Sequence, residues 1–257
     1  MSVPCFVANW KMNKTVEEAQ AFLAEFASRF EDTDEWAEVI IAPPYTALTA
    51  VAAGLSRPSP GRTPLGFLAA QNICEYGDGA YTGEISSRML AAIGCRFVIV
   101  GHSERRIYAG ETDAQIVRKV SVASEWGITP ILCVGETAEA RRAGQSLQVV
   151  ERQIHAAASA LSAGSIIAYE PVWAIGTGVL PRVDEIETVH QHIRGLLAGL
   201  PAEIGLRLLY GGSVNRENIA SVMSLPSVDG VLVGGASLSA ATFADLVARG
   251  AEAKSGG

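Results

Sequence analysis

The fold is decided by a strand–helix–strand pattern in residues 97–134, which read FVIVGHSERRIYAGETDAQIVRKVSVASEWGITPILCV. The pattern begins with an apolar run at 97–101 and ends with another at 130–134, and residues 112–126 between them show helical periodicity. Both runs are apolar throughout rather than alternating, which is typical of strands that are buried on both faces in a parallel sheet. This stretch therefore predicts one β/α unit of such a sheet.

The same unit recurs along the whole chain. Strands are predicted at residues 6–10, 39–42, 66–71, 97–101, 130–134, 166–169, 206–210 and 230–233. Helices are predicted at 16–30, 112–126, 146–161, 184–197 and 242–249, the first with Thr15 as N-cap and Glu18 completing a capping box. Eight units in 257 residues favour a closed (β/α)8 barrel over an open, doubly wound sheet. We therefore expect one α/β domain over residues 1–257, with a frayed tail after Gly250.

The composition limits the classes of partner. Lysine and arginine total 20 and aspartate and glutamate 27, so the net charge of −7 disfavours nucleic acid as the main partner. A small anionic ligand needs only a local positive field and stays possible. Cys5, Cys74, Cys95 and Cys133 lack the spacing of a zinc site, which predicts reduced thiols in a cytoplasmic protein without a metal. No run approaches the ~18 apolar residues of a membrane helix, so we expect no membrane association.

Polar side chains follow several of the predicted strands. Asn9 and Lys11 lie at the end of the first strand, His102 and Glu104 follow the fourth, and Glu170 follows the sixth. In a (β/α)8 barrel the carboxyl ends of the strands form the active site. A carboxylate at the mouth of an apolar run is a candidate general base, and a lysine can stabilise a phosphate or an oxyanion. By position alone, a solvated Lys11 and a purely structural His102 are the alternatives.

Two glycine turns indicate phosphate binding. Gly211, Gly212 and Ser213 follow the seventh strand, Gly234 and Gly235 follow the eighth, and helical patterns come after both turns. Glycine lets the backbone approach a ligand, and the loops after strands seven and eight are the recurrent phosphate site of this fold. Tight turns without a ligand are the alternative. The apolar, glycine-rich residues 171–178 are interpreted as a lid over the site.

Five motifs together resemble the triosephosphate isomerase family. They are residues 9–13 (NWKMN), 79–84 (GAYTGE), 101–106 (GHSERR), 168–178 (AYEPVWAIGTG) and 210–214 (YGGSV). They occur in the family's order and at its spacing, and the resemblance runs from Asn9 to about Leu238. It implies the TIM-barrel fold and the interconversion of dihydroxyacetone phosphate and glyceraldehyde 3-phosphate, with neither a cofactor nor a metal.

The resemblance also implies a role for each matched residue. Glu170 would be the base that takes a proton from the carbon beside the carbonyl, and His102 the neutral electrophile. Lys11 would stabilise the enediolate and the phosphate, Asn9 would bond a substrate oxygen, and Glu104 would support Lys11. Backbone N–H groups that hold the phosphate would come from Gly176, Ser213, Gly234 and Gly235.

The loop at residues 79–84 is similar to the family's dimer loop. It implies a homodimer in which Thr82 reaches the partner's site; an ordinary surface loop is the alternative. Two other functions stay open, namely isomerisation of a four-carbon erythrulose phosphate and a non-catalytic phosphate-binding barrel. The family usually continues the lid with a lysine and small residues, whereas this chain has residues 179–182 (VLPR). Because Pro181 fixes its backbone φ, we expect lid opening to differ from the family pattern.

Overall fold

Eight parallel strands close into a barrel in chain order, with β1 paired to both β2 and β8. The computed structural model describes residues 3–29, 37–56, 65–175, 180–200 and 205–256. The strands are β1 Cys5–Asn9, β2 Glu38–Ala42, β3 Phe67–Ala70, β4 Phe97–Val100, β5 Thr129–Val134, β6 Ile166–Tyr169, β7 Arg207–Tyr210 and β8 Gly230–Val233. Every predicted strand overlaps one of these, so the (β/α)8 prediction is confirmed.

Helices connect the strands on the outside of the barrel. Those in the described residues are α1 Val16–Ser28, α2 Leu48–Leu55, α3 Ser87–Ala92, α4 Ser103–Tyr108, α5 Asp113–Glu125, α6 Ala138–Arg142, α7 Ser146–Ala157, α8 Val183–Leu197, α9 Ile219–Met223 and α10 Ala240–Ser255. The predicted capping box is confirmed, since the Thr15 hydroxyl accepts from the Glu18 N–H and the Glu18 carboxylate accepts from the Thr15 N–H. Phe30, the predicted end of the first helix, lies outside the described residues.

The prediction of a frayed tail is wrong, because α10 continues to Ser255. Gly250 is buried against the Phe6 ring, where a Cβ atom would come within 2.7 Å of the ring edge. Lys254 Nζ donates to the Leu225 carbonyl at 2.9 Å. The small residues of this segment therefore permit close packing against the barrel rather than marking a loose end.

The core has two layers that together show which way each strand residue points. One cluster contains helix residues with every second strand residue, such as Phe6 and Ala8. The other contains only strand residues, among them Cys5, Val7 and Ile166, and fills the barrel interior. This division shows which residues of each strand point into the barrel. Since side chains alternate along a strand, the next inward position after the end of each strand follows from it.

Candidate active site

Strand alternation carries two polar side chains into the mouth of the barrel. Ile166 and Ala168 of β6 point inward, so the next inward position is Glu170. The same step along β1, from Cys5 and Val7, leads to Asn9. Glu170 and Asn9 are only 2% and 5% exposed. Two of the predicted site residues thus lie in one layer at the carboxyl end of the barrel.

Glycines make room for the polar side chains in this layer. The inward position beyond β5 is Gly135, beyond β7 Gly211 and beyond β8 Gly234. A Cβ atom at Gly135 would lie 1.7 Å from the Glu170 carbonyl oxygen, and one at Gly211 would lie 3.0 Å from Glu170 Cγ. At Gly234 it would lie 3.2 Å from Lys11 Cε. These glycines therefore permit the positions of Glu170 and Lys11.

One oxygen of the Glu170 carboxylate accepts a hydrogen bond, and the other has no hydrogen-bond partner in the described part of the chain. Oε2 accepts a hydrogen bond from the Ser103 backbone N–H at 2.8 Å. Oε1 is buried and lies 2.9 Å from His102 Nε2, but within the described part of the chain it has no hydrogen-bond partner. Beside it, burial and then the Glu170 charge raise the pKa of the Cys133 thiol, which stays protonated. The open oxygen is available to accept a proton from a ligand.

His102 is both the N-cap of α4 and the neighbour of Glu170. Its Nδ1 accepts from the Glu104 N–H at 3.2 Å. On this hydrogen-bond pattern we assign the ring proton to Nε2, the nitrogen that faces Glu170. Burial lowers the pKa of His102, but the carboxylates of Glu170 and then Glu104 outweigh burial and raise it. If the Glu170 charge is neutralised, the largest raising influence disappears and burial favours the neutral ring.

Lys11 is presented by a backbone that non-glycine residues seldom adopt. Its φ is 52°, in the left-handed region. Three hydrogen bonds hold the segment: Asn9 Oδ1 accepts from the Lys11 N–H at 3.0 Å, and Gln71 Nε2 donates to the carbonyls of Lys11 and Ala42 at 2.8 and 2.9 Å. The Lys11 ammonium lies 2.6 Å from Glu104 Oε1. A positive charge is thereby fixed at the mouth of the barrel.

The two glycine turns lead into different local structures. After β8, Gly234 leads directly into a 3₁₀ turn at Gly235–Ser237. After β7, however, the next helix begins only at Ile219, so the turn that contains Ser213 does not lie at a helix start as the sequence suggested. The Ser213 carbonyl accepts instead from Asn218 Nδ2 at 3.0 Å, and its hydroxyl donates to the Ala174 carbonyl at 3.4 Å. Ser213 is thus connected to the segment predicted to form the lid.

Two predicted features are not part of this cluster. Gly176 lies outside the described residues, as do residues 177–179 of the predicted lid and hinge. Thr82 lies on an exposed loop and has no hydrogen bond or ion pair to the cluster within the described chain. The structure thus brings together Asn9, Lys11, His102, Glu104 and Glu170, with Gly234 beside Lys11.

The set of predicted site residues omitted Glu136 and Gln71. Glu136 is fully buried and accepts from Trp173 Nε1 at 2.7 Å and from the Tyr169 hydroxyl at 3.2 Å. Gln71 ends the predicted third strand and Glu136 comes two residues after the predicted fifth strand, so their position was a usable signal. Ser103 acts through its backbone N–H, which leaves no signal in the sequence.

The described part of the chain contains neither a metal-binding cluster nor a membrane-spanning helix. Within the described ranges, no group of three or more His, Cys, Asp or Glu residues could hold a metal ion. In the same part of the chain, no helix has the length and apolarity needed to cross a membrane.

The fold and the cluster define a class of protein, the (β/α)8-barrel enzymes that carry out acid–base chemistry on an anionic substrate. A family model described as triosephosphate isomerase matches residues 4–250. The chain is 45% identical to the triosephosphate isomerase of Symbiobacterium thermophilum, over 99% of both chains. It is 44% identical to that of Citrifermentans bemidjiense (96% and 98% covered) and 45% identical to that of Chloroflexus aurantiacus (96% and 99% covered).

The chain therefore belongs to the triosephosphate isomerase family, and the resemblance inferred from the sequence is confirmed. The chain is an isomerase, with the glycolytic role that follows from that family. None of these relatives favours the four-carbon alternative.

Proposed function

We propose that this chain interconverts dihydroxyacetone phosphate and D-glyceraldehyde 3-phosphate through an enediolate, in glycolysis and gluconeogenesis, and needs no cofactor. The observation that carries this proposal is the buried Glu170 carboxylate, with one oxygen open, facing His102 Nε2 at 2.9 Å. A base and a proton donor side by side suit a reaction that moves protons between neighbouring carbons and oxygens.

In the first half of the reaction, Glu170 takes a proton from the carbon beside the carbonyl. The electron pair of that C–H bond forms the new C=C bond, and the carbonyl oxygen becomes an enediolate oxygen. His102 Nε2–H and the Lys11 ammonium stabilise this oxygen, since preorganised donors act where charge develops. The side-chain oxygen Oδ1 of Asn9 accepts from the Lys11 N–H, so the side-chain nitrogen Nδ2 of Asn9 is the group that donates to the substrate.

In the second half, His102 gives its Nε2 proton to the enediolate oxygen and takes the proton of the neighbouring hydroxyl. Glu170 returns its own proton to the adjacent carbon, which completes the isomerisation and restores both side chains. Because the pKa of His102 is raised chiefly by the Glu170 charge, protonation of Glu170 in the first step favours the neutral ring needed here. Glu104, 2.6 Å from Lys11 Nζ, orients the lysine.

The phosphate is assigned to the glycine turns. Backbone N–H groups of Ser213, Gly234, Gly235 and Gly176 would donate to it, and Lys11 would neutralise part of its charge. Each such donor is worth about 3 kcal/mol if it acts in the transition state. The anchoring of Trp173 by Glu136 supports a lid that begins here and excludes water from the reactive intermediate.

The assembly is proposed to be a homodimer, with each chain of 257 residues forming one domain. Met12 and Tyr108 are 96% and 85% exposed, and Tyr45 and Tyr81 also expose apolar surface, which favours burial against a second copy. Thr82 would enter the partner's site near Asn9 and Lys11. A cytoplasmic location is supported by the four free, buried cysteines.

The function is tested by turnover of purified protein on glyceraldehyde 3-phosphate and, in parallel, on erythrulose phosphate. We expect kcat/KM for the triose to approach about 10⁸ M⁻¹s⁻¹ and to exceed that for the tetrose. Preference for the tetrose would overturn the substrate assignment, and tight binding of an enediolate-like phosphate without turnover would overturn catalysis. Mass measurement in solution checks the dimer, which Thr82→Arg should weaken.

A further inference from the structure

A buried glutamine on the outside of the barrel forms hydrogen bonds with both backbone polar groups of Gly135, the residue after β5. Gln153 of α7 is only 6% exposed. Its Oε1 accepts from the Gly135 backbone N–H at 2.8 Å, and its Nε2 donates to the Gly135 carbonyl at 3.3 Å. A side-chain amide carries both a donor and an acceptor, so a single residue satisfies both polar groups of Gly135. This arrangement fixes the position of the Gly135 backbone.

Gly135 in turn lies directly against the backbone of Glu170. The inward side of Gly135 lies so close to Glu170 that a Cβ atom there would be 1.7 Å from the Glu170 carbonyl oxygen. The Glu170 N–H donates to the carbonyl of the preceding residue, Val134, at 2.7 Å. The backbone of Glu170 therefore rests directly on residues 134 and 135, and a shift of Gly135 moves Glu170 with it.

The residue on the other side of Gly135 anchors the start of the lid. Glu136 accepts from the indole of Trp173 and from the hydroxyl of Tyr169, the residue before Glu170. Gly135, which Gln153 holds, thus lies between Val134, which supports the Glu170 backbone, and Glu136, which anchors Trp173.

We propose that Gln153 is a positioning residue for the catalytic base: by fixing Gly135 it sets where the Glu170 carboxylate meets the substrate. This inference rests on the proposed role of Glu170. Gln153 does not touch substrate and acts only through the Gly135 backbone. Misplacement of a reacting group by about 1 Å can cost about 100-fold in rate. Loss of the two hydrogen bonds to Gly135 is therefore expected to slow proton abstraction.

The surroundings of Gln153 leave room for water beside Gly135. A cavity of about 300 Å³ is lined by Gln153, Gly135, Ser103, Thr137 and Val172, among others. In a variant without the amide, water in this cavity can bond the freed groups of Gly135. Methionine fills nearly the same volume as glutamine and cannot make either hydrogen bond.

The test compares Gln153→Met with Gln148→Met, a matched control at an exposed position of the same helix. We expect Gln153→Met to lower kcat per active site about tenfold or more, with KM within about twofold of the control. The deuterium isotope effect on kcat, measured with substrate labelled at the transferred hydrogen, should rise because proton abstraction has become slower. A merely structural role would change thermal stability and leave this isotope effect unchanged.

A second variant covers the case in which Gln153→Met does not fold. Gln153→Glu keeps the acceptor for the Gly135 N–H and loses the donor to its carbonyl, so kcat should fall and the isotope effect should rise. Wild-type kcat and isotope effect in the folded variant would overturn the inference, as would a lower melting temperature alone. Failure of the wild-type chain to isomerise triose phosphate would instead overturn the proposed function.

Discussion

Both ends of the barrel carry charged side chains, but the two ends differ in how many of those side chains have hydrogen-bond or ion-pair partners. At the amino end, Arg207 Nη1 lies 2.5 Å from Glu38 Oε1, and the Cys5 thiol lies 3.6 Å from the same oxygen. Asp229 Oδ2 accepts from Arg194 and from a strand N–H. Among the described residues, none of these side chains has a buried polar atom without a partner.

At the carboxyl end, groups are held in place without being fully satisfied. Glu170 Oε1 is buried and receives no well-formed hydrogen bond from the described residues. Lys11 occupies a left-handed backbone conformation, and its ammonium and His102 face the same open mouth. One end of the barrel therefore contributes to stability, and the other keeps bonding capacity for a ligand. Variants at each end test that division.

The largest effect is expected for Glu170→Asp. The carboxylate would retract by about 1 Å and lose its reach to the substrate carbon, so kcat should fall about 100-fold or more. The fold should be unchanged, because Ser103 and the backbone of Val134 still surround the position. Turnover is compared with that of Glu217→Asp, an exposed control. Unaltered turnover in Glu170→Asp would remove Glu170 from the role of base.

Lys11→Ala should reduce kcat/KM about 100-fold or more, the scale of losing one donor that stabilises developing charge. Lys14→Ala is a suitable control, since Lys14 also has a positive φ but lies over the rings of Trp10 and Phe22. Steady-state kinetics and binding of an enediolate-like phosphate give the two readouts. A normal kcat/KM in Lys11→Ala would exclude Lys11 from the site.

At the other end, Arg207→Met should lower the free energy of unfolding by about 2 kcal/mol and leave kcat unchanged. The variant leaves the Glu38 carboxylate without its partner, and breaking a fully buried pair costs about 3–5 kcal/mol; this pair is partly exposed. Urea unfolding measures the loss, which the double variant with Glu38→Leu should partly reverse. A fall in kcat at unchanged stability would contradict the division between the two ends.

The smallest expected change, for a step of one pH unit, is in the free energy of unfolding and comes from His190. This side chain is fully buried beside Tyr169 and Tyr210. Burial lowers its pKa from 6.5 to about 3. Between those values the unfolded chain binds a proton that the folded chain does not, so unfolding becomes easier as the pH falls below 6.5. The slope is at most about 1.4 kcal/mol per pH unit.

Urea unfolding of the wild type and of His190→Gln at pH 6.5, 5.5 and 4.5 checks this expectation. The variant should lose that part of the pH dependence, and the catalytic pH profile should be the same in both proteins. Equal slopes of unfolding free energy against pH would show that His190 does not contribute.

Most of the barrel, and the clustering of the main candidate residues, could be predicted from the sequence. Apolar runs predicted the strands to within one residue of their observed bounds, and polar residues at the strand ends indicated Asn9, Lys11, His102, Glu104 and Glu170. The strand prediction is confirmed, and the five candidate side chains lie together because a parallel barrel gathers the carboxyl ends of all its strands in one place.

The supporting contacts could not be predicted in the same way. The strands are apolar on both faces, so the sequence does not tell which residues point inward, and the contact of Gly135 with Glu170 stays hidden. Ser103 acts through its backbone, and Gln153 lies on a helix among other polar residues. In the tail, the composition of small residues suggested fraying, whereas Gly250 packs closely against Phe6.

The most direct test of the account is to isomerise dihydroxyacetone phosphate in D₂O and to measure deuterium at carbon 2 of the glyceraldehyde 3-phosphate formed. Transfer of the proton by Glu170 allows exchange with solvent while the enediolate exists. We therefore expect deuterium at that carbon, formed at least 100-fold more slowly with Glu170→Asp. Product without deuterium, formed at the same rate by the wild type and by Glu170→Asp, would contradict the assignment of Glu170 as the base.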